Sequence, residues 1–130
     1  MSNNQSSIRS PLGRARGLGS AKDGTNHWIM QRLSALAMIP LILYFLTQLD
    51  SITGSDVYAF RAWAGQPLVA VALISFIVAS FYHATLGLQV IIEDYIHHEG
   101  VKIAFLALNK IFFFFLAVAA IYGVIAVKLG

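Results

Sequence analysis

The sequence predicts an all-α integral membrane protein with three transmembrane helices, on three observations. Hydrophobic residues make up 58% of the 130 residues and charged residues only 12%, with a mean hydropathy of +0.71. Soluble domains carry about twice that share of charge. Three apolar runs each reach the roughly 20 residues that a helix rising 1.5 Å per residue needs to cross hydrocarbon. The charged residues fall between the runs and at their ends, not at every third or fourth position as on a soluble amphipathic helix.

Composition also excludes chemistry. With no cysteine, the chain has no disulfide, no thiolate metal site, no covalent haem attachment through CxxCH and no cysteine-ligated iron–sulfur cluster. The net charge of +3 and pI of about 9.5 would suggest nucleic acid in a soluble protein. Here the basic residues gather beside the first apolar run, where they set topology, so the partner is the lipid bilayer and not nucleic acid.

Residues 1–26 are rich in Ser, Gly and Arg, hold Asp23 as their one acid and have no apolar period; they read as an extended basic arm. Residues 27–130 read as a three-helix membrane anchor. The first span covers about 28–49, capped by Thr25 or Asn26, with Arg32 in its first turns and Pro40 near its middle. A kink is expected at Pro40, and neighbouring helices can satisfy the carbonyl it frees. Asp50, Gly54, Asp56, Arg61 and Gly65 then mark an aqueous loop with room for a short interfacial helix. The second span covers about 68–92 and ends in the cluster from Glu93 to Gly100. The third covers about 106–127, with Lys110 near its start and Lys128 at its exit, both placed to snorkel toward head groups. Its run of four phenylalanines, 112–115, wraps all round the helix and reads as lipid and helix contact.

Orientation follows from lysine and arginine. Arg9, Arg14, Arg16, Lys22 and Arg32 flank the first span, and Lys102 and Lys110 lie by the loop between the second and third; the opposite side has only Arg61 and Lys128. The N-terminus is therefore expected inside and the C-terminus outside.

One ionisable group stands far from any aqueous end. His83 lies deep in the second span, where a polar side chain costs several kcal/mol unless partnered, which makes it a candidate functional residue. A plainer alternative is a histidine hydrogen-bonded to a neighbouring helix. Ser75, Ala79, His83 and Gly87 recur every four residues as a stripe of small side chains, suited to a flat bulky group or to close helix contact. Haem iron accepts an axial imidazole, and no second histidine lies at comparable depth, so a bis-histidine haem needs a ligand from a partner subunit. Asp94, eleven residues on, falls on nearly the same helix face about 16 Å away. Tyr95 beside it can donate a phenolic hydrogen bond at the inner boundary, or serve as an ordinary interfacial aromatic. His97 and His98 are expected to face water.

These residues resemble those of a known family, the small cytochrome b membrane-anchor subunits of succinate dehydrogenase, respiratory Complex II. The resemblance runs from LGRARGLGSAKDGTNHWIMQRLSALAMIPL through HATLGLQVIIEDY to the terminal YGVIAVKLG. It implies that His83 is an axial ligand of haem b, shared with a second haem-ligating anchor subunit. It also implies that Asp94 and Tyr95 sit at the ubiquinone pocket, and that His27 and Arg32 lie near the haem propionates and that pocket. Arg32 also suits a snorkelling role, and His27 a surface one. The implied complex has a flavoprotein and an iron–sulfur subunit, which hold the flavin and the clusters, and two anchors of three helices each. This chain would help pass electrons from the nearest cluster to ubiquinone. The setting would be a bacterial inner membrane, or the mitochondrial inner membrane for an organellar protein. The loop at His97, His98, Glu99 and Gly100 departs from the resemblance.

Two other classes fit the size. A small transport subunit would also bury an ionisable group, but the sequence has no repeated half and no second intramembrane charge for a relay. A structural adaptor would explain the basic arm, yet has no use for a buried His83 or an Asp94–Tyr95 pair.

Overall fold

The computed structural model describes residues 19–130, with side chains from Gly24 onward. The described residues form helices joined by short breaks: α1 (Gly19–Thr47), α2 (Leu49–Thr53), α3 (Val57–Ala64), α4 (Pro67–Tyr95) and α5 (Glu99–Leu129), without strands. Three of them, at Gly24–Thr47, Pro67–Tyr95 and Glu99–Leu129, are long and apolar enough to cross a membrane. The chain is a multi-pass membrane protein.

The long helices overrun the spans read from hydropathy. α1 begins at Gly19 instead of after Thr25 or Asn26, so residues 19–26 are helical and the remainder of the basic arm lies outside the described residues. α4 continues past Ile92 to Tyr95, and α5 starts at Glu99, well before 106. Hydropathy marks the part of a helix that hydrocarbon surrounds, whereas the helix runs until its backbone ladder is interrupted. At 29 to 31 residues each is about 43 to 47 Å long, beyond the roughly 30 Å of the hydrocarbon core, so its ends stand in the head-group layer. α1 continues on both sides of Pro40 as one helix.

The loop expected from Asp50 to Gln66 is largely helical. Asp56 caps α3, its carboxylate accepting the Ala59 N–H at 2.7 Å, and Pro67 opens α4, where its missing N–H costs no helical bond. The connection from α4 to α5 is only Ile96, His97 and His98. The Ile96 N–H closes α4 on Ile92 O, and His98 accepts the Val101 N–H at a long 3.5 Å. His97 and His98 are exposed, as expected.

α4 is the middle helix. It packs against both α1 and α5, which among the described residues do not pack directly on each other. At the end of the bundle formed by α2 and α3, Trp63, Ala64 and Val69 form a small apolar core with Phe45, Phe60, Leu73 and Val127 against it. The Trp63 indole N–H donates to Gln48 Oε1 at 3.2 Å. Most large apolar side chains along the spans face outward. The polar side chains that the structure buries, Ser34 and Asn109, lie instead on the seams between helices. That distribution suits a chain whose solvent is lipid, since an apolar exterior costs nothing there and polar groups must find partners inside.

Candidate functional site

The seam between α1 and α4 is built on α1 positions 27, 31, 34, 38, 41 and 45, alternately four and three residues apart, all of them buried or half-buried. This is the spacing at which one helix keeps a stripe turned toward its neighbour. From α4 the matching positions are Phe76, Ser80, His83 and Gly87. Phe45 meets Phe76 edge-on at 5.6 Å, and the Ser80 hydroxyl donates to Met38 Sδ at 3.4 Å. Ser75, which shares the small-residue stripe in the sequence, is exposed, because a strict four-residue repeat drifts around the helix away from the seam.

His83 lies where the seam turns polar. Its Nδ1 stands 3.0 Å from Ser34 Oγ and 3.2 Å from the backbone oxygen of Gln31, and its Nε2 stands 3.3 Å from the Gln31 side-chain nitrogen. The Ser34 hydroxyl also donates to Gln31 O at 3.0 Å. Gly87, one turn further on, leaves the space that the Gln31 amide fills: a Cβ there would lie 3.5 Å from its nitrogen. His27 is half-buried one turn before Gln31 on the same stripe.

Two buried polar atoms on this stripe have no partner among the described residues, His27 Nε2 and Gln31 Oε1. Buried groups of this kind are ordinarily satisfied, and leaving one bare costs about 1 to 3 kcal/mol. They are therefore places where a polar group from outside the chain would be accepted. Among the described residues no three histidines or carboxylates converge as a metal cage. The residues nevertheless fit a porphyrin, whose iron takes a single imidazole nitrogen from each side. The fit carries one condition, that the Gln31 side chain swing off His83 Nε2.

The other candidate residues lie apart from this cluster. Arg32 is one residue round α1 and exposed, with its guanidinium carbon 4.4 Å from the Trp28 ring centre. Such cation–π stacking holds the charge at the helix flank. Asp94 and Tyr95 stand exposed at the open end of α4, and Tyr95 is 79% exposed. The structure thus joins His83 and His27 to one seam and leaves Arg32, Asp94 and Tyr95 on surfaces that no described residue covers.

The second seam, between α4 and α5, is held by Asn109, whose side-chain N–H donates to Thr85 O at 3.0 Å, and by Phe81 against Phe113 at 6.0 Å. Sequence reading did not single out Gln31, Ser34 or Asn109. For Gln31 and Ser34 the signal was available in the α1 spacing, where polar residues at 27, 31 and 34 share one face of an otherwise apolar helix.

The family model of the succinate dehydrogenase/fumarate reductase transmembrane subunit matches residues 6–123. The chain belongs to that family. Among curated members, the succinate dehydrogenase hydrophobic membrane anchor subunit of Rickettsia bellii (strain RML369-C) is 33% identical over 117 residues, covering 90% of this chain and 94% of the relative. The protein of the same name from Paracoccus denitrificans is 29% identical over 120 residues, 92% of each. A succinate dehydrogenase membrane anchor subunit from Reclinomonas americana is 31% identical over 101 residues, 69% of this chain and 78% of the relative. No solved structure matches. The family's succinate dehydrogenase anchors are thus similar to this chain along nearly its whole length.

Proposed function

We propose that this chain is the haem b-carrying hydrophobic anchor of a succinate dehydrogenase, and that it helps form the site where ubiquinone is reduced. The observation that carries this reading is His83, an imidazole held between α1 and α4 with one nitrogen tied to Gln31 O and Ser34 and the other facing only a side-chain amide. A haem bound there, with its second ligand from a partner anchor, supplies a one-electron carrier within the bilayer. His83 would hold it, and His27 Nε2 would meet a polar group at its edge, for which Arg32 lies a short way round α1.

Succinate oxidation releases two electrons and two protons, and reducing ubiquinone to its quinol consumes two of each. The flavin and iron–sulfur clusters belong to partner subunits, which the basic N-terminal side of this anchor would dock on the inner face. Tyr95 and Asp94, at the end of α4, would complete the quinone pocket together with those partners. The Tyr95 hydroxyl would donate to a quinone carbonyl oxygen as that oxygen gains negative charge, and Asp94 would take protons from the inner aqueous side and pass them inward. Their exposure in the isolated chain fits a pocket whose other wall comes from elsewhere.

The test is a reduced-minus-oxidised spectrum of the purified complex carrying His83→Ala. Loss or marked weakening of the b-type bands, with succinate oxidation by a soluble acceptor retained, supports the assignment. An unchanged spectrum in assembled complex overturns it. A second reading has its own support: the contacts of His83 to Gln31 and Ser34 satisfy it within the chain, as a residue that ties α4 to α1 would be. On that reading the variant keeps its haem bands and loses thermal stability instead.

A further inference from the structure

We infer that Ser34 is a positioning residue for the haem ligand, fixing the His83 tautomer and tuning the electron density of its ligating nitrogen. The inference rests on the assignment of His83 as an axial ligand and concerns residues for which sequence reading had no role.

The backbone oxygen of Gln31 decides the tautomer. A carbonyl oxygen only accepts, so at 3.2 Å from His83 Nδ1 it requires the proton to sit on Nδ1. The Ser34 hydroxyl spends its own proton on the same carbonyl, at 3.0 Å, and so its oxygen is left to accept from Nδ1 at 3.0 Å. With the proton on Nδ1 the lone pair falls on Nε2, where the Gln31 amide nitrogen stands 3.3 Å away until it swings aside. All these contacts agree on one state: Nδ1 protonated and shared between two acceptors, Nε2 bare. That is the state an axial imidazole needs, and an acceptor on the far N–H is the usual device for orienting a ligating histidine and raising its basicity. Ser34 is 7% exposed, so no water replaces its oxygen.

The sign of the effect follows. A hydrogen bond from Nδ1–H pushes electron density toward Nε2, which favours ferric over ferrous iron and lowers the midpoint potential. Removing the Ser34 acceptor leaves Nδ1 with only the longer bond to Gln31 O. A hydrogen bond of ordinary net strength corresponds to about a five-fold change in an equilibrium constant. If all of that factor separated ferric from ferrous iron the shift would be about 40 mV upward, at 59 mV per tenfold for a one-electron couple, and this is its upper bound.

The experiment uses the full complex with Ser34→Val and Ser34→Thr, which share a shape and differ in the hydroxyl, and reads the haem midpoint potential by redox titration together with haem content. We expect Ser34→Val to raise the potential by tens of millivolts with the b-type bands present, and Ser34→Thr to keep it at the wild-type value. Equal potentials in the two variants, or equal shifts, overturn the proposal, because the hydroxyl then has no part. His83→Ala is measured alongside. If it keeps the bands, the ligand assignment itself has failed; if it loses them while Ser34→Val does not move the potential, the role of Ser34 alone has failed. Should Ser34→Val lower the yield of complex, Ser34→Ala provides the same comparison without added bulk.

Discussion

Replacing Tyr95 by Phe removes one oxygen from a side chain that is 79% exposed and has no hydrogen-bond partner among the described residues. The loss to folding is therefore close to nothing, and any change in activity reads the hydroxyl alone. If that hydroxyl donates to a quinone carbonyl, its bond strengthens as the oxygen becomes negative, so the variant loses more stabilisation in the transition state than in the bound substrate. One such bond is worth about 1 to 3 kcal/mol, which is about five- to a hundredfold in rate. The assay compares succinate:ubiquinone reductase activity with succinate oxidation by an artificial acceptor in the same membranes. We expect the first to fall by that factor, in kcat as well as kcat/KM, and the second to stay at wild type. If the Phe variant reduces ubiquinone at the wild-type rate with unchanged KM, Tyr95 is an interfacial aromatic and the donor lies on another residue.

Two further outcomes follow from the seams. Gly87→Ala adds a methyl at ordinary contact distance, 3.5 Å from the Gln31 amide nitrogen, and should leave assembly unchanged, whereas Gly87→Leu should drive Gln31 aside, part α1 from α4 and lower haem content in the purified complex; equal haem in both variants would show that the seam is not packed here. Asn109→Ala removes the tie to Thr85 O across α4 and α5, and at about 0.6 to 1.7 kcal/mol for such a bond between membrane helices it should lower the midpoint of detergent-induced unfolding without changing the haem spectrum.

The spans were legible because a bilayer demands an unmistakable pattern, and His83 because an ionisable group so far from water has few neighbours of its kind in the sequence. Helix ends were less legible. Residues 93–95 and 19–27 are too polar for hydrocarbon yet still helical, since nothing among them interrupts backbone bonding. Gln31 and Ser34 escaped notice because uncharged polar residues are common in spans, and their value depends on which helix packs opposite. That pairing is a tertiary fact. Arg32, which the resemblance places with His27 near the haem propionates, stacks on Trp28 at the flank of α1, a contact that likewise depends on the turn of the helix.

Among the described residues α4 packs against two neighbours that do not pack on each other, so the three spans close no ring of their own. The flanks of α1 and α5 that α4 does not cover stay exposed, where sideways diffusion in the plane of the bilayer reaches them. A companion subunit can therefore dock after both chains are fully inserted, without either one unthreading or reopening a seam. Docking of that kind requires only a two-dimensional search.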